Sequence, residues 1–365
     1  MRKAGIWIAG SLLAGATLLS GGCEKDSANP SVYPTPNKIE NVVSILRKGF
    51  NTYYNNYMQG KDEISYIDDV LRNAEEAAGI NSKRQDSEKL LQQYLRSNGY
   101  DVVDSRYNNS NGKPSTRVKL IKISGEKTTS LDNNTVDVIY FRRIDAGFPM
   151  VNGEAGFSVE GDKNTIYVVD GNFRDVATGL WDMYKSGKAG TLMGSNAVTS
   201  SGGITAGNLS TYMLLHAFND TFQRSNSEDV FLRNAENLEN DATEEHEKRH
   251  VKDSIENRGM PDATQEYLAG LAAIRAAEDN GYPPQIPFSA AVDWATNFGY
   301  PYNIAGANIL NCTTNTAIDR KYIDLTALTP NNATVEATRL VSKLDDETTG
   351  KLAQTCMDAV LNAIK

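Results

Sequence analysis

The spacing of apolar residues divides the chain into three stretches. From residue 39 to 96 they recur at helical intervals. Ile39–Met58 places Val42, Val43, Ile45 and Leu46, then Phe50, Tyr53 and Tyr54, along one helix. Glu63–Ala78 carries Ile64, Ile67, Val70 and Leu71 and is ended by Gly79. Asp86 is a candidate N-cap for a helix over Glu88–Arg96, which stops before Asn98-Gly99.

The pattern then shifts to strand. Tyr100–Val103, Arg117–Ser124, Val136–Ile144 and Thr165–Val169 are short, rich in β-branched or aromatic residues and separated by Asn/Gly-rich turns. From Phe173 onward helical spacing returns. It predicts helices over Arg174–Lys185, Leu209–Phe222, Asp229–Leu238, a segment around residues 246–250, Ala263–Glu278, Val335–Leu344 and Thr349–Ile364. Thr191–Gly203 reads as a Gly/Ser/Thr loop, and turns are expected at Gly281–Pro287 and Asn297–Tyr302. The predicted class is α+β: N-terminal helices, a small, mainly antiparallel sheet of four or five strands, and a mostly helical C-terminal half.

At 365 residues the chain has room for one large or two ordinary domains. A helical-plus-sheet part over 39–170 and a helical part over 171–365 are expected, with one continuous domain as the alternative. Residues 1–22 read as a targeting segment, with Arg2-Lys3 before an apolar run ending in Ser20-Gly21-Gly22-Cys23. This resembles a bacterial lipoprotein signal. The resemblance implies cleavage before Cys23, lipidation of that residue, and attachment to a membrane of the cell envelope, facing periplasm or exterior. An ordinary secretory signal is the alternative. Residues 23–38, polar and proline-containing, read as a flexible tether.

Removing residues 1–22 takes away Arg2 and Lys3, so Lys+Arg falls from 37 to 35 against 46 Asp+Glu and the net charge becomes −11. That balance argues against nucleic acid and against a polybasic membrane contact. With Cys23 lipidated, Cys312 and Cys356 remain. An exported compartment permits a bridge between them that ties the C-terminal helix down, and two buried free thiols are the alternative.

The chemistry-bearing stretch is His246-Glu247-Lys248-Arg249-His250. It holds two of the three histidines in the chain. Residues four apart on a helix share a face, so both imidazoles can bind one metal ion, while Glu247 is rotated away from ligation yet stays within reach of an attacking water. The competing reading is a solvated charged helix, since Glu244–Lys248 and Glu245–Arg249 are favourable i,i+4 pairs.

A third ligand decides between them. The metzincin spacing puts one at Glu256, but Asp253 stands where the turn needs glycine, so that scheme is rejected. Sixteen residues after His250, Glu266 follows a break at Gly259 and Pro261, and Asp262-Ala263-Thr264-Gln265 has the form of a capping box opening a neighbouring helix. Ala269, Gly270, Ala273 and Ala277 share Glu266's face and permit close backbone approach.

His246-Glu247-Lys248-Arg249-His250 with Glu266-Tyr267-Leu268-Ala269 resembles the gluzincin group of zinc metallopeptidases over about 30 residues. The resemblance implies Zn²⁺ on His246, His250 and Glu266, with Glu247 as general base and a peptide or protein as substrate. His216 and Tyr267 are candidate oxyanion donors. The competing reading of His216 is a satisfied core histidine. Thr165–Val169 is a candidate edge strand for aligning an extended peptide, or an ordinary strand. The acidic residue expected after Glu-x-x-Ala is replaced by Gly270, and Asp253, Glu278 and Asp279 are the candidate substitutes behind the ligands, with plain surface charges as the competing reading of each. A lipid-anchored metallopeptidase is therefore expected, and a non-catalytic envelope lipoprotein acting as a binding or scaffolding module is the alternative. No Walker loop, Gly-x-Ser-x-Gly or dinucleotide fingerprint is present.

Overall fold

The computed structural model describes residues 36–364 except 62, 82, 84–85, 109–113, 132–133, 148–155, 159–164, 195–204, 257 and 324–332. The expected signal segment, Cys23 and most of the expected tether therefore lie outside the described residues. The chain is α+β, with twelve α-helices, one 3₁₀ turn and five strands among the described residues. It divides into two units.

The first unit holds residues 36–125 and 141–147. Helix α1 (Pro36–Met58) starts three residues before the expected Ile39, with Pro36 at the first helical position, where its missing N–H costs nothing. Helices α2 (Ile64–Ala77) and α3 (Ser87–Arg96) follow, and Gly79 ends α2 at φ +72°. Val42, Leu46, Phe50, Tyr53, Ile67, Leu71, Leu91 and Leu95 form one core with Val118 and Leu120 of the sheet.

The sheet runs in the order β1-β2-β3-β5-β4. β1 (Tyr100–Asn108) pairs antiparallel with β2 (Pro114–Leu131), with Tyr100 opposite Lys122. β2 and β3 (Asn134–Gly147) are longer than their apolar patterns suggest, because polar residues such as Lys127 and Asn134 extend the strands beyond their alternating cores. β4 (Gly156–Ser158) escapes sequence reading at three residues. It pairs antiparallel with β5 (Thr165–Val169), placing Phe157 opposite Tyr167. β5 is buried along its whole length between β3 and β4. The expectation of an edge strand at Thr165–Val169 is thus corrected: β4 is the edge.

The second unit holds residues 126–140 and the described residues from 156 onward. Helices α4 (Arg174–Lys185), α5 (Lys188–Met193) and α6 (Leu209–Arg224) lead to α7 (Glu228–Ile255), 28 residues in one piece. Neither Gly nor Pro interrupts α7. The Ser227 hydroxyl accepts from the Val230 N–H, and Glu228 and Asp229 complement the helix dipole in its first turn. Phe231, Leu232 and Ala235 face the helical core, while Val251 joins Val136, Val138, Ile166 and Val168 beneath the sheet. Buried on several sides, α7 shows little apolar periodicity.

Helix α8 (Asp262–Asn280) is entered differently from the expected capping box. Pro261 is the N-cap, Asp262 lies in the first turn, and Gln265 donates to the Met260 carbonyl at 2.7 Å. Helices α9 (Gln285–Asn297) and α10 (Tyr302–Asp319) have no counterpart in the sequence reading. Ile286 to Trp294 are buried on every side of α9, which erases the period. Thr313 and Thr314 enter α10 only by donating to the Ile309 and Leu310 carbonyls. After α11 (Ala333–Val341) comes α12 (Asp346–Ile364), joined to α10 by a Cys312–Cys356 disulfide. No helix among the described residues is long and apolar enough to cross a membrane.

Candidate metal centre

His246 and His250 project from the last third of α7, and Glu266 from the second turn of α8. His250 Nε2 lies 3.1 Å from His246 Nε2, and Glu266 Oε2 lies 3.3 Å and 3.5 Å from the two nitrogens. A tetrahedral cation with bonds of roughly 2.0–2.2 Å separates its ligands by roughly 3.3–3.6 Å. The three atoms therefore outline one face of such a tetrahedron, with the fourth vertex left for a further ligand. Among the described residues, this is the group of three His, Cys, Asp or Glu side chains whose ligand atoms converge. The Nδ1 of His250 is buried with no hydrogen-bond partner, so its ring is aimed by packing and by the Glu266 side.

The electrostatics of the three groups are coupled. Burial opposes ionisation of Glu266, yet the His250 charge and hydrogen bonds from both rings outweigh it and hold the carboxyl below its ordinary range. Burial also disfavours charge on His250, but Glu266, Glu247 and Asp253 raise its basicity. His246 is pushed down by burial and by the His250 charge. Beyond the one N–H that each neutral imidazole carries, the pair thus shares one extra proton, with its positive charge held on the His250 side against the Glu266 carboxylate. A metal cation would take the place of that proton.

Glu247 is 0 % exposed and turns from the two rings toward β4. A methyl added at Gly156 would lie 3.1 Å from Glu247 Cγ and 2.7 Å from Thr243 Cγ2, so glycine alone lets the edge strand approach so closely. On the other side of the centre, the Trp294 indole meets the His246 ring at 5.5 Å and 70°. Sequence reading missed Trp294 because α9 was not foreseen. It misplaced the role of Gly270 as well, since a methyl there would strike Ile309 at 2.6 Å and Trp294 at 3.3 Å, not α7.

Lys248 and Arg249 are not a solvated face. Lys248 reaches Glu244 at 2.9 Å and Glu245 at 2.6 Å. Glu244 also binds Lys127 of β2 at 2.6 Å and the Tyr140 hydroxyl of β3 at 2.9 Å. Burial alone would raise the Glu244 pKa, but the two lysines bring it below its ordinary value. Arg249 does not pair with Glu245 as expected. It binds Asp253, with Nε to Oδ2 at 3.1 Å and Nη2 to Oδ1 at 2.9 Å, both side chains being buried. Asp253 is thus occupied by Arg249, acting on His250 through its charge. Glu278 and Asp279 are exposed, and Asp279 pairs with Arg275.

His216 does not join the centre. It is exposed on α6, packed on Tyr212, and lines a cavity of about 600 Å³ with Asp220, Arg224, Asn234 and Asp346, none of which belongs to the His246/His250/Glu266 group. Tyr267, next to Glu266, is buried in the helical core, which raises its hydroxyl to about 12. Comparison with protein-family models, with curated proteins and with solved structures returns no match.

Proposed function

We propose that this chain is a zinc-dependent metallopeptidase of gluzincin type, held to a bacterial envelope membrane by a lipid on Cys23 and hydrolysing peptide bonds there. The observation that carries this reading is the triangle of His246, His250 and Glu266, whose edges of 3.1–3.5 Å match three ligands of one tetrahedral ion. Two nitrogens and one carboxylate suit zinc. When bound, zinc polarises a scissile carbonyl and makes water acidic enough to attack it near neutral pH.

The chain's own residues supply the rest. Glu247, one residue from a ligand and packed against the edge strand, takes the proton of the attacking water and hands it to the leaving amine. Trp294 shields the far side of His246 from bulk water. β4, the last strand of the sheet, suits backbone pairing with an extended peptide beside Glu247. The acidic mature chain and the Cys23 segment support attachment through lipid, with no nucleic-acid partner.

A second reading is favoured by the complete burial of His246 and Glu247. In it the same three residues hold a structural ion in a non-catalytic envelope scaffold. Glu247→Gln separates the two. The peptidase reading expects one zinc per chain to be kept and hydrolysis of casein to be lost by a factor of ~10³ or more. A zinc-loaded wild type without hydrolysis supports the scaffold.

A further inference from the structure

Upstream of the motif, α7 carries a buried column that the reading above does not use. Glu239, Thr243 and Glu247 are spaced four apart and so stand on one line. All three are buried. The Thr243 hydroxyl donates to Glu239 Oε1 at 3.1 Å. A threonine has its hydroxyl and methyl on the same carbon, so fixing one fixes the other. Here the methyl Cγ2 faces Gly156, at the spot where Glu247 Cγ also meets the edge strand.

We propose that Glu239 and Thr243 are positioning residues for Glu247: their hydrogen bond locks the Thr243 methyl toward Gly156, and that methyl seats β4 against the turn that presents Glu247. If the lock opens, the hydroxyl can turn to the backbone carbonyl one turn back, as helical threonines readily do. The contact at Gly156 then changes shape directly beside Glu247. The inference rests on the hydrolase reading only for its kinetic consequence.

The lock depends on Glu239 as an acceptor. Its Oε2 is buried with no hydrogen-bond partner, and no cation pairs with it among the described residues. On α7 it faces Glu236 and Thr243. Arg174, from α4, binds Glu236 at 3.4 Å, and β4 brings Gly156 against Thr243. Burial raises the Glu239 carboxyl to about 8, with the Thr243 hydrogen bond lowering it and the Glu236 charge adding a smaller rise. A hydroxyl donates to a carboxyl in either protonation state and more strongly to the carboxylate, so the lock needs the acceptor oxygen and not a particular charge.

The test compares wild type, Glu239→Leu, Glu239→Gln, Thr243→Ser and Thr243→Val in the zinc-supplemented protein, using a fluorogenic casein peptide and methyl NMR of threonine-labelled protein. Glu239→Leu should lose about tenfold in kcat, and Glu239→Gln, which keeps an acceptor oxygen, should restore most of it. Thr243→Val should lose about tenfold in kcat, with KM within twofold and zinc content unchanged, and Thr243→Ser, which lacks the methyl, should lose about as much. Full kcat in Glu239→Leu or in Thr243→Ser overturns the proposal. If no form hydrolyses the peptide, the peptidase reading fails, and the NMR decides the positioning on its own. A contact between the Thr243 methyl and the Gly156 α-protons that is present in wild type and Glu239→Gln and lost in Glu239→Leu supports it. A contact kept in Glu239→Leu, or absent from wild type, overturns it.

Discussion

The Trp294 ring closes edge-on against His246, at 5.5 Å between ring centres, and Gly270 leaves it the room to do so. This indole is the apolar stop that sets the His246 ring plane. Trp294→Leu should keep the fold and weaken zinc affinity by roughly 10- to 100-fold, the usual effect of losing a residue behind a ligand. Competition with a chromogenic chelator measures it. In a Trp181→Phe/Trp7→Phe background, Trp294 is the one tryptophan left in the sequence, and its emission should also report metal binding directly.

Arg249 and Asp253 form a buried ion pair one turn apart. Removing one partner strands the other charge, so Asp253→Asn or Arg249→Met should each cost about 3–5 kcal/mol in urea unfolding. The double variant Arg249→Met/Asp253→Leu should recover most of that loss. Additive losses in the double variant would show that the two side chains act independently.

Asp293 sits under α6, accepting from Ser210 at 3.0 Å, and burial raises its carboxyl to about 6 from an ordinary 3.8. Its folded pKa exceeds its unfolded one, so the folded state binds the proton more tightly. Stability from this group is full below about pH 4 and declines as pH rises through 6, by on the order of 3 kcal/mol at most. Asp293→Asn, which keeps the acceptor, should flatten that slope and be more stable than wild type at pH 7.5 by thermal unfolding. An unchanged slope contradicts this assignment.

The Cys312–Cys356 bridge closes a loop of 44 residues between α10 and α12. Replacing both with alanine should remove ~4 kcal/mol by loop entropy. Because α10 packs behind α8 and α9, zinc affinity should change far less than stability. The comparison is denaturant midpoint against metal affinity for the same variant.

The sequence made legible what is local. Helices with one apolar face, such as α2 and α4, are readable within a residue or so, and the three donors follow from a four-residue spacing plus a Gly/Pro break. Features set by tertiary contact stay hidden. α9 is buried all round and shows no period, and β4 is three residues long. Gly156, Trp294 and Glu239 gain their meaning only from what packs against them. Lys248 and Arg249 are the instructive reversal. As letters they argue for solvent, yet in the fold each is absorbed by a carboxylate, which removes the strongest local argument against the motif.

The central claim is that His246, His250 and Glu266 together hold one zinc ion. The most direct measurement is metal content by mass spectrometry after dialysis, for wild type, His246→Ala, Glu266→Ala and Glu247→Gln. The expected result is about one zinc per chain in wild type and in Glu247→Gln, and close to none in the other two. Wild-type protein without bound transition metal after zinc loading, or a Glu266→Ala variant that keeps its zinc, would contradict the account.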